Sequence, residues 1–212
     1  MLASEDIPEN DPWWFRQPIS GNAVTSILDK PTQRAAFRQI RDSYVNGLTA
    51  QDRSLAFSKI PSPLAKFLAP GKIVAGYVAK GSEVDPAAIL AQAHAIGCDL
   101  ALPHVTSKSA PMRFLRWSPD DDLVPGAFGL LQPAETAPEC KPDIVLVPML
   151  AYDDRLIRLG QGAGHYDRAL SVLDHSIAIG LAWSVQFTSV LASDVWDVPL
   201  DAVLTEKSWI TL

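Results

Sequence analysis

The run Ile144-Val-Leu-Val147 is four consecutive apolar residues, closed by Pro148. A strand of this kind has no polar face to turn to water, so it belongs in the middle of a sheet covered on both sides. Shortly after it comes Arg158-Leu-Gly-Gln-Gly-Ala-Gly-His-Tyr-Asp-Arg168, in which Gly160, Gly162 and Gly164 alternate with other residues before a helical-looking segment. Glycines at that density let backbone amides turn toward an anion without obstruction by Cβ, and a helix start adds unpaired N–H groups. With Arg158 and Arg168 at its ends, the segment has the makings of a phosphate cradle. A glycine-rich surface turn is the plain alternative, but it leaves the two Arg, the Asp and the His–Tyr pair unexplained. The spacing fits neither G-x-x-x-x-G-K-[S/T] nor G-x-G-x-x-G, so phosphate binding rests on local chemistry.

Around this pair of features strands and helices alternate. Residues 31–45 carry Ala35, Ala36, Phe37, Ile40 and Tyr44 at helical spacing, with Arg34, Arg38 and Arg41 along one face. Taken singly, each of these arginines is most simply a solvated charge. Leu48-Thr49-Ala-Gln-Asp52 starts a second helix with a Thr cap, running to Leu64 or Phe67 unless Pro61 and Pro63 break it. A first strand is expected over Ile73–Ala79, and a helix from Asp85-Pro86 to Gly97. Leu100–Leu102 begins a short buried strand, and Met112–Trp117 alternates like a half-exposed one. Residues 118–139 are turn-rich; a helix over 166–174, a strand over Ile177–Leu181 and a last one at Val203–Leu204 follow. The alternation predicts an α/β fold around a parallel or mixed sheet.

The 212 residues suit one domain, expected over 30–212, preceded by an acidic, proline-punctuated extension over 1–29 with Trp13, Trp14 and Phe15 clustered. A formal charge of −6 argues against a general nucleic-acid binder. The N-terminus is unlike a signal peptide and no apolar run is long enough for a bilayer span, so a cytoplasmic protein with no membrane partner is expected. Cys98 and Cys140 form no C-x-x-C, and Cys98 fits a small packing residue. The histidines at 94, 104, 165 and 175 lack zinc-type spacing; His94 and His175 fall in helical patterns, whereas His165 adjoins the glycine loop. Glu83, just past the first strand, stands where α/β sheets bind ligands and can accept from a heterocyclic N–H/NH₂ pair. A solvated loop acid is the simpler account of it. Asp167 would fit a magnesium ion bridging phosphates, with a second acid drawn from Asp194, Asp197 or Asp201, among which spacing does not choose.

Asp143-Ile-Val-Leu-Val-Pro-Met-Leu-Ala-Tyr-Asp153 followed by Arg158–Arg168 resembles the strand, Val-Pro turn and nucleotide loop of the 5-formyltetrahydrofolate cyclo-ligase (5,10-methenyltetrahydrofolate synthetase) family. Glu83-Val-Asp85, Leu102-Pro103, Met112 with Phe114, Gly126-Ala-Phe-Gly129, Gln186 and Asp197-Val-Pro-Leu-Asp201 with Thr205-Glu206 extend the likeness over about residues 30 to 206. It implies a three-layer Rossmann-like fold of the NagB/RpiA/CoA transferase-like kind. It further implies ATP- and Mg²⁺-dependent closure of 5-formyltetrahydrofolate to 5,10-methenyltetrahydrofolate, with ADP and phosphate released.

By that likeness Arg34 and Arg38 would reach ATP phosphates. The loop of Arg158, Gly160, Gln161, Gly162, Ala163, Gly164, His165, Tyr166 and Arg168 would hold the triphosphate, with Arg158, His165 and Tyr166 nearest the chemistry. Gln161 to His165 would border the folate. Val78 and Glu83 would recognise the pterin, and Asp167 and Asp197 would ligate Mg²⁺. The chain departs from the family's pattern at several places: Arg34 stands for a Lys, Gln161 and His165 for aromatics, Gln132 for an acid, Trp196 for a His and Asp194 for a Glu. The resemblance implies a monomer or weak homodimer acting on folate with or without a polyglutamate tail, although no clear lysine cluster marks a site for that tail. An enzyme of the same fold using ATP on another small formamide or carboxylate, and a non-catalytic folate- or nucleotide-binding regulator, are the competing readings.

Overall fold

The computed structural model describes residues 29–212. The expected extension, with its Trp13–Phe15 cluster, lies outside the described residues apart from Asp29.

The chain runs α1 (Lys30–Gly47), α2 (Ala50–Leu55), α3 (Ser62–Ala65), β1 (Ile73–Ala75), α4 (Ala87–Ile96), β2 (Asp99–His104), β3 (Arg113–Trp117), β4 (Val124–Pro125), β5 (Leu131–Gln132), β6 (Glu139–Cys140), β7 (Ile144–Pro148), β8 (Ala151–Tyr152), β9 (Arg158–Leu159), α5 (His165–Leu170), β10 (Ile177–Leu181), β11 (Ala202–Leu204) and β12 (Trp209–Ile210). Eight strands form one sheet in the order β12-β11-β10-β7-β1-β2-β3-β6. The five from β11 to β2 are parallel, and β12 and β3 join antiparallel at either side. The expected mixed α/β sheet is therefore present.

β7 sits inside the parallel block, and its residues 144–147 are all buried, as an all-apolar strand requires. Its side chains alternate between two cores. Ile144 and Leu146 pack with Leu90 of α4, Leu64 and Trp183; Val145 and Val147 pack with Met112, Tyr152 and Ala169 of α5. A third cluster sets Phe37 of α1 against Leu150, Ile157 and Leu159 around the β8–β9 hairpin.

α1 begins where its sequence signals place it: Asp29 Oδ1 accepts from Thr32 N at 2.9 Å, and Pro31 occupies the first turn. Five local expectations need correction. The helix expected over 166–174 is α5, which ends at Leu170 and gives way to turns. The first strand stops at Ala75, although Gly76 N still donates to Ala101 O at 3.0 Å; Gly76 lies so close to α4 that a Cβ there would be 2.5 Å from Leu90 Cδ1. The second helix ends at Leu55, and only a separate turn, α3, forms between Pro61 and Lys66. β3 is less exposed than its alternation suggests, since Phe114 and Leu115 are both buried. His175 lies in a turn rather than a helix. Cys98 is buried as a packing residue, and both cysteines are free thiols.

Asp143 fastens the entry to β7. Its Oδ2 accepts from Ile73 N at 2.8 Å and its Oδ1 from Lys72 Nζ at 2.7 Å. Burial pushes this carboxyl up, but the Ile73 amide and the Lys72 charge outweigh it and leave the pKa below its ordinary 3.8. A depressed carboxyl contributes stability above its unfolded pKa and loses it as pH falls through the lower folded value. Asp143→Ala should therefore cost about 1 kcal/mol at neutral pH. That difference should fade below about pH 4 in thermal melts, and a pH-independent difference would contradict this account.

Candidate active site

The carboxyl ends of β1, β2 and β7 open onto a cavity of about 740 Å³, the size of a small-molecule site. This is where parallel α/β sheets place ligands. Three segments wall it: the loop 77–83 after β1, the stretch 128–132 spanning β5, and the glycine loop 160–167. The same cavity brings together Arg38, Val78, Glu83, Arg158, Gly160–Tyr166 and Asp167 of the expected site residues. Arg34, Arg168 and Asp197 do not line it; Arg34 and Arg168 bond to the lining residues Gly160 and Ala163, whereas Asp197 bonds to Lys30 and the Asp194 amide.

The glycine loop is delivered by the β8–β9 hairpin, and the turn between those strands is built on Asp153. That carboxylate is 1% exposed and accepts from the backbone N–H groups of Arg155, Ile157 and Leu191 and from the Arg155 guanidinium. The hairpin then carries Arg158 into the protein, where Nη2 meets Asp167 Oδ1 at 2.5 Å and Nη1 donates to Val198 O at 2.5 Å. Burial pulls this guanidinium's pKa down while Asp167 and Asp197 push back, and an arginine so paired stays charged.

Beyond Arg158 the loop uses its glycines for conformation. Gly162 has φ +103° and Gly164 φ +66°, both left-handed. α1 holds the loop from outside: Arg34 Nε donates to Gly160 O at 3.0 Å, and Arg38 Nη2 donates to Gln161 Oε1 at 2.8 Å. Arg168 holds it from the far end through Ala163 O at 2.9 Å and Lys108 O at 3.2 Å.

Two polar atoms on this wall are buried without a partner among the described residues: His165 Nε2 and Tyr166 Oη. Arg168 Nη2 lies 3.0 Å from His165 Nδ1. A guanidinium only donates, so Nδ1 accepts and the ring proton belongs on Nε2. Burial and the Arg168 charge both lower the His165 pKa, which keeps the ring neutral. Burial, then the nearby Glu83 charge, raises the Tyr166 phenol well beyond its usual value, so it too stays neutral. The wall thus presents two neutral N–H/O–H groups whose burial is costly until something accepts from them.

Opposite stands Glu83. Oε2 accepts from Lys80 N at 3.0 Å, while Oε1 is 3.4 Å from Gln161 Nε2 and 3.9 Å from Arg41 Nη1. The solvated account of Glu83 fails, since its side chain is 13% exposed. Phe128, at φ +62°, lines the cavity with its ring 6.1 Å from that of His165, and Lys80 Nζ donates to Phe128 O. Gln132 is buried and accepts from Val105 N at 3.1 Å.

Asp197 pairs with Lys30, whose Nζ is 2.7 Å from Asp197 Oδ2 and 2.6 Å from Asp194 Oδ2. Burial works against the Lys30 charge, yet these two carboxylates raise its pKa overall. Lys30 was not among the expected site residues, although it precedes Arg34 by one helical step of four, the spacing of a Lys–Arg pair. Arg41 was missed as well. It is 5% exposed, although its sequence position reads as a solvated helix face. Neither could be found from charge pattern alone, because what selects them is a partner distant in sequence.

The family model for the 5-formyltetrahydrofolate cyclo-ligase family matches residues 27–206. The chain belongs to that family. It is 31% identical over 144 residues to 5-formyltetrahydrofolate cyclo-ligase of Escherichia coli K12, a match covering 64% of this chain and 79% of that one. The corresponding protein of Mycolicibacterium smegmatis is 34% identical over 154 residues, 66% of this chain and 76% of the other. Among solved structures, the NMR structure of Aquifex aeolicus 5,10-methenyltetrahydrofolate synthetase superposes with a TM-score of 0.69 at 28% identity, covering 87% of this chain and 93% of that chain. The three-layer α/β fold is thus the fold of the cyclo-ligase family, and the cavity described above is the family member's candidate active site.

Proposed function

We propose that this protein is a 5-formyltetrahydrofolate cyclo-ligase, closing 5-formyltetrahydrofolate to 5,10-methenyltetrahydrofolate at the expense of ATP. The observation that carries the reading is the meeting, in one cavity, of a family-type glycine loop with Glu83 across from it. The formyl oxygen attacks the γ-phosphorus, ADP leaves, and the formyl carbon becomes a far better electrophile. N10 then bonds to that carbon, the C–O bond to phosphate breaks, and N10 gives up its proton. The enzyme's work is alignment and charge stabilisation rather than a dedicated base.

In this reading Glu83 accepts from the N–H edge of the pterin, with Val78 beside the ring. Arg38 and Arg158 supply positive charge to the phosphate side, and Arg34 and Arg168 set the shape of the loop of Gly160–Tyr166. His165 Nε2–H and Tyr166 O–H are the donors that a phosphate or formyl oxygen would satisfy. The donor set also suits magnesium. Among the described residues no group of three or more His, Cys, Asp and Glu gathers to hold a metal. A hard cation that takes one or two carboxylates and fills its remaining positions with phosphate oxygens and water needs only Asp167 and Asp197. Bound there, Mg²⁺ would neutralise charge developing on the triphosphate.

No helix among the described residues is long and apolar enough to cross a membrane. Two free thiols suit a reducing compartment, and we assign the enzyme to the cytoplasm as a monomer or weak homodimer, acting on folate with or without a polyglutamate tail. Phosphate release tests the reading: it should require 5-formyltetrahydrofolate, ATP and Mg²⁺ together, and to match methenyl product mole for mole. Phosphate release indifferent to the folate would sink it.

A further inference from the structure

Arg41 is the one strongly buried cation of α1, and its donors lead to the folate side of the cavity rather than to the glycine loop. Arg34, Arg38 and Arg41 stand at i, i+4 and i+7, on one helix face. The first two reach Gly160 and Gln161. Arg41 instead donates through Nε to Ser82 Oγ at 2.9 Å and through Nη1 to Met149 O at 3.4 Å, with Glu83 Oε1 3.9 Å from Nη1. Ser82 Oγ donates to Asp42 Oδ1, and Trp183 Nε1 donates to Ser82 O at 3.0 Å. Ser82 is thereby fixed at its hydroxyl and its carbonyl, and the residue it fixes next along the chain is Glu83. Burial lowers the Arg41 pKa, and the charges of Glu83 and Asp42 oppose it. A guanidinium in such a place is tolerated because Nε and Nη1 are bonded and Glu83 lies near its charge.

We propose that Arg41 is a positioning residue: through Ser82 and its own charge it sets where the Glu83 carboxylate points, and so tunes folate binding while leaving ATP binding alone. The inference rests on Glu83 being the folate-recognising acid. It divides the labour of α1, whose first two arginines shape the phosphate loop and whose third shapes the opposite wall. A Lys at 41 could keep the charge but not the fork that reaches Ser82 and Met149 together.

The test is a cycle of Arg41→Met, Glu83→Gln and the double variant in the full-length protein, with Arg41→Lys and Ser82→Ala as milder members should Arg41→Met fold poorly. KM for each substrate and kcat are measured beside 5-formyltetrahydrofolate affinity by tryptophan fluorescence. Arg41→Met is expected to raise the folate KM and Kd about tenfold, with the ATP KM within about twofold of wild type. Arg41→Lys and Ser82→Ala should fall between. If Arg41 acts through Glu83, the double variant binds folate no worse than Glu83→Gln alone. Effects that multiply in the double variant, or ATP and folate KM rising together, would overturn the proposal. Wild-type protein that binds folate but forms no product would sink the cyclisation reading alone. Arg41→Met and its milder companions all keeping wild-type folate affinity would sink the Arg41 proposal alone.

Discussion

Arg158→Met is expected to reduce kcat at least about 100-fold and to lower stability by about 3 kcal/mol. The guanidinium is buried, with 4% of its side chain exposed, and it bonds to both Asp167 and Val198 O. Methionine fills much of the space but leaves the Asp167 carboxylate, 25% exposed, without its cation. Removing one member of a buried pair is costly because the other charge stays behind. The catalytic loss comes from the same place, since the phosphate side of the cavity loses a fixed positive charge. Arg158→Lys keeps the charge without the fork and should fall between the two in both thermal melts and saturating turnover. A Met variant with near-normal kcat and only a lower Tm would make Arg158 a structural residue.

Gly162→Ala is the second large effect expected, and it should appear in ATP binding. An L-residue at φ +103° is strained by about 1–2 kcal/mol. The added Cβ would also lie 3.3 Å from Arg34 Cζ, pressing on the side chain that holds Gly160 O. The loop must shift, so KM for ATP should rise about tenfold while the fold survives, because Gly162 is exposed and packs into no core. A stable Gly162→Ala protein with unchanged ATP KM would show that the loop's backbone shape is not what binds phosphate.

Much of this architecture is legible in the chain because the signals are local. Asp29-Lys-Pro31 starts α1, Ile144–Val147 announces the strand buried on both faces, and Ile177–Leu181 forms a strand as expected. What escaped depends on tertiary contact. β1 ends at Ala75 rather than Ala79, which no pattern within residues 73–79 reveals. The two-residue strands β8 and β9 are too short for a periodicity, yet their hairpin aims the glycine loop. The burial of β3 depends on its inner neighbours in the sheet. In the site, the glycine loop and Glu83 could be singled out by residue type and position. Arg41 and Lys30 could not, because a charged helix face looks the same whether it meets water or carboxylates across the fold. The aromatic cluster Trp13–Phe15 belongs to residues outside those described.

The most direct measurement follows the absorbance of methenyltetrahydrofolate with purified protein, 5-formyltetrahydrofolate, ATP and Mg²⁺. The account predicts a rise that needs all three additions and disappears in Asp167→Asn, while that variant stays folded. A flat trace from folded wild-type protein that binds ATP would contradict it.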